Sequence, residues 1–221
     1  MAAAPRIAVI DYAKGNLKSV ERGLQRAGAA AFITDDPEQI ARADALVLPG
    51  VGAFADAIAG METTGQKDAI LAALGRDKPF LGICLGLQLL FTQGTEGAPE
   101  GGPLPQGLGV IAGTARRMPR TDAQGKSYKV PHVGWNSIEF EPAGTECALL
   151  AGVQPGEYFY FTHSYIAPEN DATVATTTHS VTFPSVVQAS PVIYGVQFHP
   201  EKSSDAGARI LDNYVNIVSS R

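Results

Sequence analysis

Of the 221 residues only two are cysteines, Cys84 and Cys147. That is too few for a disulfide framework, so a reducing, cytoplasmic setting is expected. No apolar run reaches the roughly 18 residues that a membrane-spanning helix needs, which leaves no candidate span. Cationic side chains are in slight deficit: 17 Lys and Arg against 22 Asp and Glu give a net charge of −5, with no basic stripe. A nucleic-acid partner is therefore not expected, and the mild acidity serves solubility. The opening Met1-Ala2-Ala3-Ala4-Pro5 is too short and too weakly apolar for a signal peptide. It is read as a short extension (1–5) ahead of a single domain spanning 6–221. No internal repeat is present. What remains is a chain with 45% apolar residues, enough for a substantial core, and no function legible from composition.

Order along the chain is more informative. Residues 7–10 are an apolar run ending at Asp11-Tyr12, a buried strand. Leu17, Val20, Leu24 and Ala27 then step by three and four, predicting an amphipathic helix closed by Gly28. Residues 31–34 form a second strand, and Asp36-Pro37 caps and opens a second helix. A third strand, 44–48, runs into Pro49-Gly50-Val51-Gly52. A helical region over 53–74 breaks near Thr63-Thr64-Gly65, and 79–83 is the fourth strand. Strand–helix alternation with short connections implies right-handed crossovers and a parallel sheet flanked by helices. Ligand sites of open parallel sheets lie beyond the carboxyl ends of the strands. Asp11-Tyr12, the 49–52 loop and Cys84 all fall there, so they should meet in space.

The second half changes character. Residues 92–106, rich in Gly, Pro and acidic side chains, read as an exposed connection. Strands are expected at 109–112, 137–140, 158–161, 173–176 and 192–198, separated by turn residues and more antiparallel in look. Residues 121–126 read as an exposed turn. Ala206, Ile210, Tyr214 and Val218 mark a last amphipathic helix, opened by Ser203-Ser204.

Chemistry concentrates at Gly82-Ile83-Cys84-Leu85-Gly86. A cysteine between two glycines, at the end of an apolar strand and the start of an apolar helix, is the thiol form of a nucleophile elbow. The flanking glycines allow strand and helix to crowd together. The alternative is a structural cysteine in a buried turn. A thiol nucleophile needs a base, and the base an orienting group. Of the four histidines, His199 alone lies in a suitable setting, Gln197-Phe198-His199-Pro200-Glu201, at the carboxyl end of a strand. Residues two apart on an extended segment share a side, which lets Glu201 accept from one ring nitrogen while the other faces the sulfur. The competing reading is a capping histidine and a first-turn glutamate. Attack on an amide also needs an oxyanion hole. The Leu85 N–H, next after the nucleophile, supplies one donor, and the Val51 peptide, between Gly50 and Gly52, can supply a second.

Gly82-Ile83-Cys84-Leu85-Gly86-Leu87-Gln88 together with Gly195-Val196-Gln197-Phe198-His199-Pro200-Glu201 resembles the class I glutamine amidotransferases. Within that family, four further stretches resemble the glutaminase subunits of imidazole glycerol phosphate synthases. They are Asp11-Tyr12-Ala13-Lys14-Gly15-Asn16-Leu17, Pro49-Gly50-Val51-Gly52-Ala53-Phe54, Pro131-His132-Val133-Gly134-Trp135-Asn136 and Tyr160-Phe161-Thr162-His163-Ser164-Tyr165. The resemblance implies the family's α/β fold, a largely parallel open sheet flanked by helices with an added antiparallel region. It implies that Cys84, His199 and Glu201 hydrolyse glutamine, with Val51 and Leu85 as oxyanion hole and Gly52, Gln88, His163, Ser164 and Tyr165 around the substrate. It further implies ammonia delivery to a (β/α)₈ cyclase partner in histidine biosynthesis, with Asn16, His132 and Trp135 at the contact, and no metal or organic cofactor. The competing functions are another class I glutaminase subunit, a free-standing thiol γ-glutamyl hydrolase and a silent interaction subunit. Some residues keep two readings: Trp135 as core aromatic or partner contact, His132 as partner contact or hydrogen-bonded structural residue, His163 as pocket or structure. His179 reads as a solvated loop residue and Cys147 as core. Ala13 departs from the family, which usually has glycine there.

Overall fold

In the computed structural model, which describes residues 3–12 and 15–221, the first half of the chain winds as its pattern predicts. The departure at Ala13 lies outside these residues. Strand β1 (Arg6–Ile10) leads to helix α1 (Leu17–Arg26), then β2 (Ala30–Thr34), α2 (Pro37–Arg42), β3 (Ala45–Gly50), α3 (Phe54–Thr63), α4 (Gln66–Leu74) and β4 (Phe80–Cys84). Local chemistry sets the boundaries. Asp36 caps α2 by accepting the Glu38 N–H at 2.9 Å with Pro37 following it, and Gly28, at φ 99°, turns the chain out of α1.

After β4 come α5 (Leu85–Leu89), β5 (Phe91–Gly94), β6 (Ile111–Arg117), β7 (His132–Ser137), β8 (Glu139–Phe140), β9 (Tyr158–His163) and β10 (Tyr165–Ile166). Strands β11 (Thr173–Thr178), β12 (Thr182–Ser190) and β13 (Ile193–Val196) precede α6 (Ser204–Ser219). Among the described residues the main sheet has the order β2-β1-β3-β4-β13-β12-β11-β8. Its first five strands run parallel, and the remainder is antiparallel. The decisive pairing is β4 with β13, Ile83 beside Val196, which brings the chain after β13 out at the same end of the sheet as Cys84. Smaller sheets form from β10-β6-β5 and from β7-β9.

Period-two alternation splits the core between the two faces of the sheet. Ile7, Val9, Val47, Leu81 and Ile83 meet α1 and α6 on one side. Ala8, Ile10, Leu46, Leu48 and Phe80 meet α2, α3 and α4 on the other. Central strands β3 and β4 are buried throughout, as a parallel sheet covered on both faces requires.

Three expectations are corrected. Residues 92–94 belong to β5, paired alongside β6, and only the rest of 92–106 is connection. Strand β12 interrupts what reads as turn, because Pro184 within it argues against a paired strand; its pairing with β11 is irregular near Ala175. The His132–Ser137 segment, dominated in sequence by Gly134 and Asn136, is also a strand, paired with β9 from His132 opposite His163 to Ser137 opposite Tyr158.

Candidate active site

Cys84 ends β4 with φ 55° and ψ −106°, a region that costs a non-glycine residue on the order of 1–3 kcal/mol. Packing enforces the turn. A Cβ on Gly82 would overlap the Gly86 carbonyl, and one on Gly86 would overlap the Leu48 carbonyl. No side chain fits between β4, α5 and β3, so the sulfur is presented at the tip of an over-determined bend.

His199 and Glu201 are buried beside it, with 3% and 1% of their side chains exposed. His199 Nδ1 lies 3.0 Å from Glu201 Oε1. The predicted pairing is present, but Glu201 reaches it from a 3₁₀ turn, Pro200–Lys202, rather than from an extended segment. Nε2 is buried without an oxygen or nitrogen partner, and Cys84 is its electrostatic neighbour. Burial alone would pull the His199 pKa down. The negative charge and hydrogen-bonding capacity of Cys84, and then Glu201, outweigh it and raise His199 from the usual 6.5 to about 10. The arrangement favours a protonated His199 ring facing the Cys84 sulfur. Ser203 holds the base from behind: its Oγ donates to the His199 carbonyl at 2.6 Å and accepts the Tyr160 N–H at 3.0 Å.

A cavity of about 300 Å³ opens at the sulfur. Val51, Gly52, Leu85, Gln88, His163, Ser164 and Tyr165, all expected at the site, line it together with Cys84. The Gln88 Nε2 donates to the Tyr165 carbonyl at 2.8 Å and to Gln197 Oε1 at 3.1 Å, which leaves its own oxygen to meet a ligand. Tyr12 arrives from β1 as strand-end geometry predicts. Its hydroxyl is buried against Gly50, where a Cβ would overlap it, without a partner in strict hydrogen-bond geometry. The Val51 amide is the backbone donor facing it. Burial, and secondarily the Cys84 charge, push the Tyr12 phenol well up, so it stays neutral.

Sequence reasoning passed over four participants. Glu96, in the acidic connection, lines the cavity and accepts the Phe54 N–H at 3.3 Å; burial raises its carboxyl above the usual range. Gln197 and Ser203 sit inside or beside the His-Pro-Glu motif, yet their roles depend on contacts far away in sequence. The fourth is His179, a partly exposed loop residue as expected, but one with ring and hydrogen-bond partners. It stacks on His132 at 4.2 Å and lies 2.9 Å from the Lys129 carbonyl.

His132, for which two roles were open, is hydrogen-bonded and interior, 5% exposed. Its Nδ1 is 3.2 Å from His163 Nε2, and His163 Nδ1 is 3.0 Å from the Tyr165 carbonyl. A carbonyl only accepts, so His163 donates from Nδ1 and, neutral, receives the His132 proton at Nε2. Burial, then the neighbouring imidazoles, lower His132 to about 4 and His163 to about 3. Trp135 is not a core aromatic: it is 50% exposed on the outer face of β7, beside Val133 at 57%. Asn16 stands half-buried at the start of α1 without a side-chain cap bond and is not among the residues lining the cavity. Cys147 is buried core.

A family model described as glutamine amidotransferase class-I matches residues 8–217. The chain belongs to the class-I glutamine amidotransferases. Within this amidotransferase family it is similar to the imidazole glycerol phosphate synthase subunit HisH of Geobacillus thermodenitrificans, 43% identical over 217 residues and covering 97% of each chain. The protein of the same name from Methanothermobacter thermautotrophicus is 44% identical over 96% of this chain and 98% of its own. Solved structures share the amidotransferase fold at low identity. A putative GMP synthase subunit from Thermoplasma acidophilum has a TM-score of 0.68 at 19% identity, covering 100% of this chain and 96% of its own. The glutaminase domain of CTPS from Trypanosoma brucei, with bound acivicin, has 0.65 at 16%, covering 99% and 95%. Among the described residues no cluster of His, Cys, Asp and Glu is arranged to hold a metal ion, and no helix is long and apolar enough to cross a membrane.

Proposed function

We propose that this chain, as a single domain over 6–221, is the glutaminase subunit of an imidazole glycerol phosphate synthase. The observation that carries the chemistry is the strained Cys84, lining one small cavity with the hydrogen-bonded His199–Glu201 couple as its electrostatic neighbour. Similarity above 40% along nearly the whole chain to subunits of that synthase supports the choice among amidotransferases.

Glutamine enters with its side-chain amide at the sulfur. The Gln88 oxygen and the Glu96 carboxylate offer acceptors to its α-ammonium group, and Gly52, Ser164 and Tyr165 close around the rest. Cys84 Sγ attacks the amide carbon. The oxygen takes up negative charge and is received by the Leu85 N–H and, once turned inward, by the Val51 N–H. The His199 imidazolium gives its proton to the departing nitrogen, the carbon–nitrogen bond breaks, and ammonia leaves a γ-glutamyl thioester. Water then attacks the thioester with neutral His199 accepting its proton, releasing glutamate and restoring the ion pair. Glu201 fixes which ring nitrogen faces the sulfur. No step needs a metal or organic cofactor. Ammonia passes to a (β/α)₈ cyclase that contacts exposed Trp135 and Val133 and, at the start of α1, Asn16.

Replacing Cys84 by serine in the two-subunit complex tests this division of labour. Glutamine-dependent synthesis is expected to fall at least about 10³-fold, while synthesis from added ammonium is retained. Loss of both activities contradicts the reading. Full glutaminase turnover by the isolated chain would instead favour a free-standing hydrolase.

A further inference from the structure

We propose that Gln197 is a positioning residue for the nucleophile, its side-chain nitrogen holding the Cys84 sulfur and its oxygen holding the Gln88 amide. The proposal rests on Cys84 being the nucleophile and adds to the Cys–His–Glu triad a side chain on which its reactivity depends.

Gln197 is completely buried. An amide at that depth is stable only if its polar atoms are satisfied. Its main chain is fixed to β12, the N–H donating to the Ser185 carbonyl at 2.9 Å. The side-chain Nε2 donates to Cys84 Sγ at 3.6 Å, and Oε1 accepts from Gln88 Nε2 at 3.1 Å. Residues 197 and 199 both serve the sulfur, while Phe198 between them turns into the core and stacks on Phe159 at 4.1 Å.

The donor order is fixed from one end. The Tyr165 carbonyl cannot donate, so the Gln88 group beside it is the NH₂, 2.8 Å away. That same NH₂ faces Gln197, so the Gln197 atom there is its oxygen. The nitrogen of Gln197 must then point at the sulfur. Turning either amide over would set oxygen against oxygen or NH₂ against NH₂. Two consequences follow. A neutral N–H aimed at the sulfur favours thiolate over thiol from a side separate from His199. Both Gln88 hydrogens are also committed, which presents the Gln88 oxygen to the cavity.

The test is alkylation of Cys84 by iodoacetamide in the full-length chain, located by peptide mass spectrometry, with glutamine KM measured in the complex. Gln197→Met, similar in length but without donor or acceptor, is expected to slow alkylation about tenfold near neutral pH. The deficit should narrow as the pH is raised. KM should rise several-fold as the Gln88 amide is freed. Gln197→Glu, which keeps an oxygen for Gln88, should slow alkylation comparably and hold KM within about twofold. Alkylation of Gln197→Met at the wild-type rate across this pH range overturns the proposal, as does a deficit that does not change with pH. If both variants fail to fold, wild-type chain labelled with ¹⁵N in glutamine side chains decides. The Gln197 amide protons should shift on alkylation of Cys84, and unmoved resonances overturn the assignment. Alkylation needs no glutamine, so it reports on Gln197 even if Cys84→Ser were to spare glutaminase activity.

Discussion

The buried histidines are of two kinds with opposite electrostatics. His199 faces the Cys84 sulfur and the Glu201 carboxyl, which raise it to about 10 despite its burial. His132 and His163 have a carbonyl, each other and a stacked third imidazole for neighbours, and are lowered to about 4 and about 3. The charge of His199 is itself one cause of the lowering at His163. Similar burial therefore gives a proton carrier in one place and a neutral hydrogen-bonded spacer in the other. The difference is made by what each ring faces.

The sharpest way to break this contrast is to remove one member of each group. His199→Gln should reduce glutamine-dependent kcat/KM by roughly 10³–10⁴-fold, leaving ammonium-dependent synthesis in the complex intact. A loss under about tenfold would remove His199 from the proton path.

Stability against pH separates the two groups next. Unfolded, all three rings titrate near about 6.5. Below that pH the unfolded chain gains protons that folded His132 and His163 refuse, so stability should fall as the pH drops toward about 4. His199 has the reverse sign. Its contribution is full below about 6.5 and is lost as the pH rises through about 10. Denaturant unfolding across the pH range checks both limbs, with His163→Phe expected to flatten the acid limb relative to wild type. An acid limb identical in that variant would show that carboxylates alone shape it.

The smallest effect expected is on substrate affinity. His163→Phe removes one of the two donors on the Tyr165 carbonyl and leaves His132 with an unpaired N–H. Glutamine KM should rise a few-fold, with kcat nearly unchanged. A large fall in kcat instead would place His163 in the chemistry.

Legibility in the sequence followed the range of the interactions. The first four strands and their helices were readable because each is specified within a dozen residues, by an apolar run, a cap such as Asp36 or a breaker such as Gly28. Cys84, and His199 with Glu201, were readable because the elbow and the His-Pro-Glu turn are local arrangements. Strand β12 was hidden by Pro184, whose place in a paired strand is granted by its neighbours and not by its own preference. Gln197 lay in plain view two residues before His199, but its role comes from Gln88, 109 positions away, and from Cys84. Glu96 was hidden within its loop, and the stacking of loop residue His179 depends on a ring, His132, far away in sequence. Trp135 reads as core by residue type and as partner contact by resemblance; its half-exposed place on the outer face of β7 rules out the core.

Tyr160 brings the outer ribbon and the catalytic base into mechanical contact. Its carbonyl takes the His199 N–H at 2.9 Å, its own N–H goes to the Ser203 hydroxyl, and across the ribbon it pairs with exposed Trp135. The base is thus stitched to the β9 side of a two-stranded strip whose other strand carries Trp135. A load placed on Trp135 reaches the backbone of His199 through a single intervening residue, which makes the strip a short lever with the proton carrier at its fulcrum.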